Sequence, residues 1–241
     1  MLKIFRSVRK RLLKDNKFKS YILYAIGEIL LVMIGILLAL QVNNWNERRK
    51  TKIQLNNTLS TIVNDLALDT LVAHQIIKYY EINQKNSLRV INKEITLDNY
   101  RECPSCASLI TIYKPFNIQT KGYDLLKKIT SSQANKKDSL LTDLSQLYSL
   151  FIPTLEKSND RLENDVLKNL ESFKEHDWFV DWTQQKFNQD MIAYFSTSED
   201  YRKKVAAHNL LASKNHLLIV TSYKANAKVM LEKIKERLES D

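Results

Sequence analysis

Twenty-two consecutive residues, Tyr21–Val42 (YILYAIGEILLVMIGILLALQV), contain one charged side chain, Glu28. Wound as an α-helix they measure about 33 Å, enough to cross a hydrocarbon core of about 30 Å. A soluble core helix rarely needs so long an apolar run, and a cleaved signal peptide has a shorter one, of roughly 7–15 residues, ending in a small-x-small site. Ala39-Leu40-Gln41 lacks the second small residue. The stretch therefore reads as an uncleaved signal anchor.

Basic residues predict its direction. Lys3, Arg6, Arg9, Lys10, Arg11, Lys14, Lys17 and Lys19 precede the span against one acid, Asp15, whereas Arg48, Arg49, Lys50 and Lys52 begin six residues beyond it. The positive-inside rule puts residues 1–20 in the cytoplasm, 21–42 across the membrane and 43–241 outside. Tyr21 and Tyr24 at one end, and Trp45 at the other, fit interfacial aromatic anchors. Within residues 1–19, Leu2, Ile4, Phe5, Val8, Leu12 and Leu13 fall on one half of a helix, and Lys3, Arg6, Lys10 and Lys14 on the other. That amphipathic pattern suits the surface of an anionic bilayer better than a nucleic-acid-binding arm, given the apolar span beside it.

Glu28 is expensive within a span, by several kcal/mol on order-of-magnitude insertion scales, unless it is paired, protonated or snorkelling. Gly35 and Ala39 lie seven and eleven residues on, so all three share a helix face. Gly35-x-x-x-Ala39 is a small-xxx-small pattern that lets helices approach closely. Two readings stand side by side: a membrane helix contact made by Glu28, Gly35 and Ala39, or a protonated or headgroup-reaching Glu28 beside incidental small residues.

The net charge of +10 is mostly an anchor property, with +6 in residues 1–42 and +4 in the remaining 199. The outer region is no polycation and gives no reason to expect nucleic acid as a partner. It holds one glycine, Gly122, and three prolines, Pro104, Pro115 and Pro153. Tight-turn folds draw on glycine and proline, so the region should be all-α: a long-helix antiparallel bundle, with neither G-x-G-x-x-G nor Walker loops.

Apolar periodicity predicts the elements. Asn43–Ile91 continues as a long helix, unbroken or broken once, with the stripe Leu55, Leu59, Ile62, Leu66, Ala73, Ile76 and Tyr80, interrupted by Asp69, in a bundle or coiled coil. Asn92–Gln119 reads as irregular, and Thr120–Ser131 as a short helix. Lys137–Lys174 is a second long helix, with Pro153 expected to kink it. Glu175–Thr197 is an aromatic-rich connector, better suited to covering the bundle end than to forming a ligand pocket. Ser198–Ser240 is a third long helix with Ser198 as N-cap and the stripe Tyr201, Val205, Ala212, Ile219, Met230, Ile234 and Leu238.

Little of this carries chemistry. Cys103-Pro104-Ser105-Cys106 would lie in an oxidising compartment, where a local disulfide is the plainest reading. A redox motif wants a βαβ context that this chain lacks, and a metal site wants further soft ligands. His74, His176, His208 and His216 are scattered singly, and the last two stand about two helical turns apart. No G-x-S-x-G or H-E-x-x-H occurs. Neither an enzyme nor a cofactor is expected.

The stretch YAIGEILLVMIGILLALQVNNWNERRK, led by FRSVRKRLLKDNKF, resembles domain-of-unknown-function family 6090, a bacterial family. The likeness is specific over residues 1–52 and weaker at Gly122-Tyr123-x-x-Leu126 and around Tyr148. The resemblance implies a single-pass envelope protein with a helical outer domain and implies no activity. With the span, it places the chain in a bacterial inner membrane with its C-terminal domain in the periplasm. The expected partners are the lipid bilayer and either another envelope protein or a second copy. A structural or interaction module leads. A periplasmic ligand sensor comes second, because twenty cytoplasmic residues form no output domain and any signal must pass through a partner.

Overall fold

The computed structural model describes residues 18–130 and 138–240. The basic amphipathic segment lies, up to Lys17, outside the described residues, as does the side chain of Tyr21. The first helix, α1, runs unbroken over Phe18–Ile91. It is the one described helix long and apolar enough to cross a membrane, and its apolar window is wholly unburied. It is followed by α2 (Lys121–Thr130), α3 (Ser139–Lys174), α4 (Phe179–Thr183), α5 (Gln189–Thr197), α6 (Glu199–Leu211) and α7 (Leu217–Ser240). Two 3-10 turns, Tyr100–Glu102 and Pro104–Ser108, punctuate the long connection after α1, and the described residues contain no strand. The chain divides into two units between Leu55 and Asn56.

Local chemistry sets the helix ends. Asp138 caps α3 by accepting from the Leu140 and Leu141 amides, and Asn188 and Ser198 cap α5 and α6 in the same way. This satisfies amides that lack an intrahelical partner. Helix α1 stops in a Schellman turn, with Glu94 N–H donating to Arg89 O and Lys93 N–H to Val90 O. Lys93 takes the left-handed conformation there, φ 61°, where glycine is the usual residue. Helix α3 continues through Pro153.

Within the unit that follows Leu55, the expected stripes form the core. Leu59, Ile62, Leu66, Ala73, Ile76 and Tyr80 of α1 are buried, as are Leu141, Leu144, Tyr148, Phe151, Leu155, Leu162, Val166 and Phe173 of α3. Helix direction follows from cross-helix pairs. Asp143 meets Lys233, Ser158 meets His216 and Asp165 meets His208, so the α6–α7 rod runs antiparallel to α3. Asp69 meets Tyr223 and Ile91 meets Arg202, so it runs antiparallel to α1 as well. Helices α1 and α3 therefore share a direction, which requires the chain to travel back between them.

The third long helix is interrupted by a π-helical turn, Ala212–His216. Such a turn inserts one residue into the helical register. Just after the turn the buried position is displaced by one: Val220 is fully buried, whereas Ile219, the expected core position, is half-buried; Met230 and Ile234 are buried as expected. Ser222 and Asn226 face solvent.

Between α1 and α2 the chain returns along α1 through Leu109–Gln119, a turn at Leu109–Thr111 followed by a stretch without regular structure, with Leu109, Ile110, Thr111 and Phe116 buried. A buried segment outside regular structure must still satisfy its peptide groups. The bundle helices supply the partners from their core faces. Asn83 donates to Leu109 O, Asn169 to Ile110 O, and the Tyr79 hydroxyl to Ile112 O. The Tyr80 hydroxyl accepts from Lys114 N–H, and Asn159 both accepts from Phe116 N–H and donates to Phe116 O. Asp69 accepts from Gln119 N–H. The polar breaks in the apolar stripes are thus hydrogen-bonding sites for the return segment.

Candidate functional site

The same carboxylates hold α2. Asp65 and Asp69, one turn apart on α1, accept from Gly122 N–H at 2.7 Å and Gln119 N–H at 3.1 Å. They act as an N-cap supplied from another helix. Gly122 is needed for this approach: a Cβ there would fall 2.5 Å from Ile62 Cγ1 and under 3 Å from the Ile62 backbone N and Cα. The Tyr223 hydroxyl donates to Asp69 at 2.5 Å. Burial pushes the Asp69 carboxyl up to about 6 despite these hydrogen bonds, and burial beside Asp69 pushes the Tyr223 hydroxyl far above its ordinary value. This cluster is enclosed and fixes architecture.

Of the two buried histidines, His208 precedes the π turn and His216 is its last residue. His208 Nδ1 donates to Asp165 Oδ2 at 2.7 Å, and Asp165 in turn accepts from Asn169. His216 Nδ1 shares a hydrogen bond with Ser158 Oγ at 3.0 Å. Burial lowers His216 to about 4 and keeps it neutral. Neither histidine joins a group of three metal-ligating side chains among the described residues.

An open groove of about 890 Å³ lies elsewhere, between the connection Ile95–Ile112 and the connector Trp182–Ser196. Its size falls within the range of small-molecule sites. Aromatic packing builds one wall. Phe173 at the end of α3 is ringed by Trp178, Trp182, Tyr194 and Phe195 at centroid distances of 5.3–5.9 Å. The opposite wall carries Cys103 and Cys106, joined by a disulfide that closes a four-residue loop. Trp182 Nε1–H donates to Ala107 O at 3.1 Å, and the buried Tyr201 hydroxyl donates to Cys106 O. These bonds tie the two walls together. Ile112 and Phe187 stand about half exposed at the groove. The aromatic connector therefore covers the bundle end and also walls a cavity.

The proposed membrane-contact residues lie in the other unit. Glu28, Gly35 and Ala39 occupy one unbroken helix, with Gly35 and Ala39 exposed and Glu28 half-buried. Apart from the adjoining backbone of its own helix, nothing lies within 4 Å of where a side chain at Gly35 would begin. Trp45 is exposed and Tyr24 half-buried.

Residues 28–100 match a family of unknown function, DUF6090. Over that stretch the chain is similar to the family. No curated protein and no solved structure matches it. The DUF6090 match begins at Glu28 and runs through α1 to Tyr100, so it covers Gly35, Ala39, Asp65 and Asp69. It extends well beyond residue 52 and stops short of Gly122, Tyr148, the disulfide and the aromatic wall. The similar stretch contains most of the apolar helix together with Asp65 and Asp69, and the groove is lined mostly by residues outside it.

Sequence reasoning missed the groove, Asp65 and the three asparagines that serve the return segment, Asn83, Asn159 and Asn169. The available signal was the recurrence of Asn and Asp at stripe positions, which marks buried backbone needing partners.

Proposed function

We propose that this chain is a single-pass membrane protein whose helical unit serves as an interaction module, with no catalytic role. In this reading residues 1–20 lie in the cytoplasm, 21–42 span a bacterial inner membrane, and 43–241 occupy the periplasm. One observation carries it. From Ile22 to Val42 the Ile, Leu, Val and Met side chains stand 43–76% exposed on every side of α1. Leaving fourteen such side chains in water would cost on the order of 20 kcal/mol relative to covering them, and lipid is the medium that covers a helix all round. Within lipid, the face of Glu28, Gly35 and Ala39 is the place for another envelope protein or a second copy, because small residues allow close packing there.

Reporter fusions at Asp241 test the topology, and crosslinking in membranes from position 39 tests the contact. An externally active, internally silent reporter is expected, together with a crosslinked species that Glu28→Leu and Gly35→Ile both weaken while Ile36→Leu does not. The reverse reporter pattern, or crosslinking indifferent to both substitutions, would overturn the reading.

A second reading, ligand sensing through a partner, is favoured by the groove. An unliganded module has no need of a cavity walled by a disulfide loop and four aromatic rings.

A further inference from the structure

The lining of the groove is chemically one-sided. It is mainly apolar, with Ile95, Ile112, Phe187 and Phe195 among its side chains. Among the described residues Arg101 is the one charged residue lining it, and no described Asp or Glu does so. Arg101 is well exposed and its Nε–H donates to the Tyr100 hydroxyl at 3.1 Å. That bond leaves the terminal nitrogens of the guanidinium fork to face a planar acceptor such as a carboxylate.

From this combination we infer that the groove binds a single-chain anionic amphiphile of the fatty-acid class, its chain against Ile112, Phe187 and Phe195 and its carboxylate at Arg101. Charge complementarity selects the acid over a matched alcohol or cation. The groove lies within the unit that follows Leu55, so the inference deepens the ligand-binding reading and is independent of the direction in which the span inserts.

The test uses the full chain in phosphatidylcholine vesicles with two photoreactive probes, a diazirine-bearing hexadecanoate and the matching hexadecanol. Peptide mapping of the adducts is the readout. The acid should label peptides within residues 95–112 and 182–196, unlabelled palmitate should compete, and the alcohol should label them less. Arg101→Gln should lower labelling by the acid about fivefold, the upper end for an exposed ion pair, and leave the alcohol unchanged. Ile112→Asp, at a half-exposed position, should abolish labelling by the acid while preserving helical content. Adducts confined to the span, equal labelling by acid and alcohol, or insensitivity to Arg101→Gln would each overturn the inference. So would protection by phosphatidylglycerol equal to that by palmitate, which would make the occupant a bilayer lipid. None of these outcomes alters the crosslinking expected at Gly35 and Ala39, so failure here is distinguishable from failure of the anchor reading.

Discussion

Gly122→Ala is the most informative single change in the bundle. The added methyl would meet Ile62 Cγ1 at 2.5 Å, Ile62 N at 2.8 Å and Ile62 Cα at 2.9 Å. The first atom can swing away by a rotamer change. The other two are backbone in the interior of α1 and cannot, so α2 must retreat. Overpacking of this kind costs about 1–3 kcal/mol. Retreat also stretches the 2.7 Å bond from Gly122 N–H to Asp65, and a hydrogen bond to a charged group contributes about 1.5–3 kcal/mol. Against this, alanine in a helix gains about 1 kcal/mol over glycine. The net expectation is a loss of about 2–4 kcal/mol. For a unit of this size that lowers Tm by roughly 4–16 °C. Thermal melts of the full chain in lipid, followed by circular dichroism at 222 nm (a helix signal), measure it. Gly35→Ala is the control, because apart from the adjoining backbone of its own helix nothing lies near its added methyl. In an Ile62→Ala background, which removes Cγ1 and leaves N and Cα in place, Gly122→Ala should cost about as much as in the parent. A melting point within about 1 °C of the parent, or full relief by Ile62→Ala, would show that the approach of α2 to α1 is not what requires glycine.

Asp69 makes stability depend on pH. Its folded pKa of about 6 lies above the ordinary 3.8, so the folded state holds the proton more tightly, and this contribution is full below about pH 4 and lost as pH rises through 6. Urea unfolding should show the parent losing up to about 3 kcal/mol between pH 4 and 7 relative to Asp69→Asn, and parallel profiles would refute the assignment. Lys93→Gly should stabilise the bundle by about 1 kcal/mol, because Lys93 occupies a left-handed turn position at φ 61°. The measured quantity is the urea midpoint, and a fall in it would mean that the lysine side chain makes a compensating contact.

The long helices were legible because period and capping act locally. The apolar stripes, the Ser198 cap and the end of α1 at Ile91 can all be read within a few turns of chain. The direction of α3 relative to α1 could not be read that way. It depends on the return segment Leu109–Gln119, whose irregular, proline-containing sequence resembles a surface loop. What makes its burial tolerable is written far away, at Asp69, Asn83, Asn159 and Asn169. Each looks like a defect in its own helix, because the partner it serves is between 26 and 59 residues distant. The π turn was hidden for a related reason: its only trace is a one-residue slip from Ile219 to Val220, and either residue satisfies an apolar pattern. The groove is less legible still. Its walls are about 80 residues apart in sequence, joined by bonds such as that from Trp182 to Ala107, and neither wall has a motif that implies the other. The polar residues that interrupt a helical stripe therefore deserve pairing with the nearest irregular segment before they are read as register-setting or solvent-facing. Applied to this chain, that rule takes Asp69 and the three asparagines directly to the return segment, and from it to the parallel placement of α1 and α3.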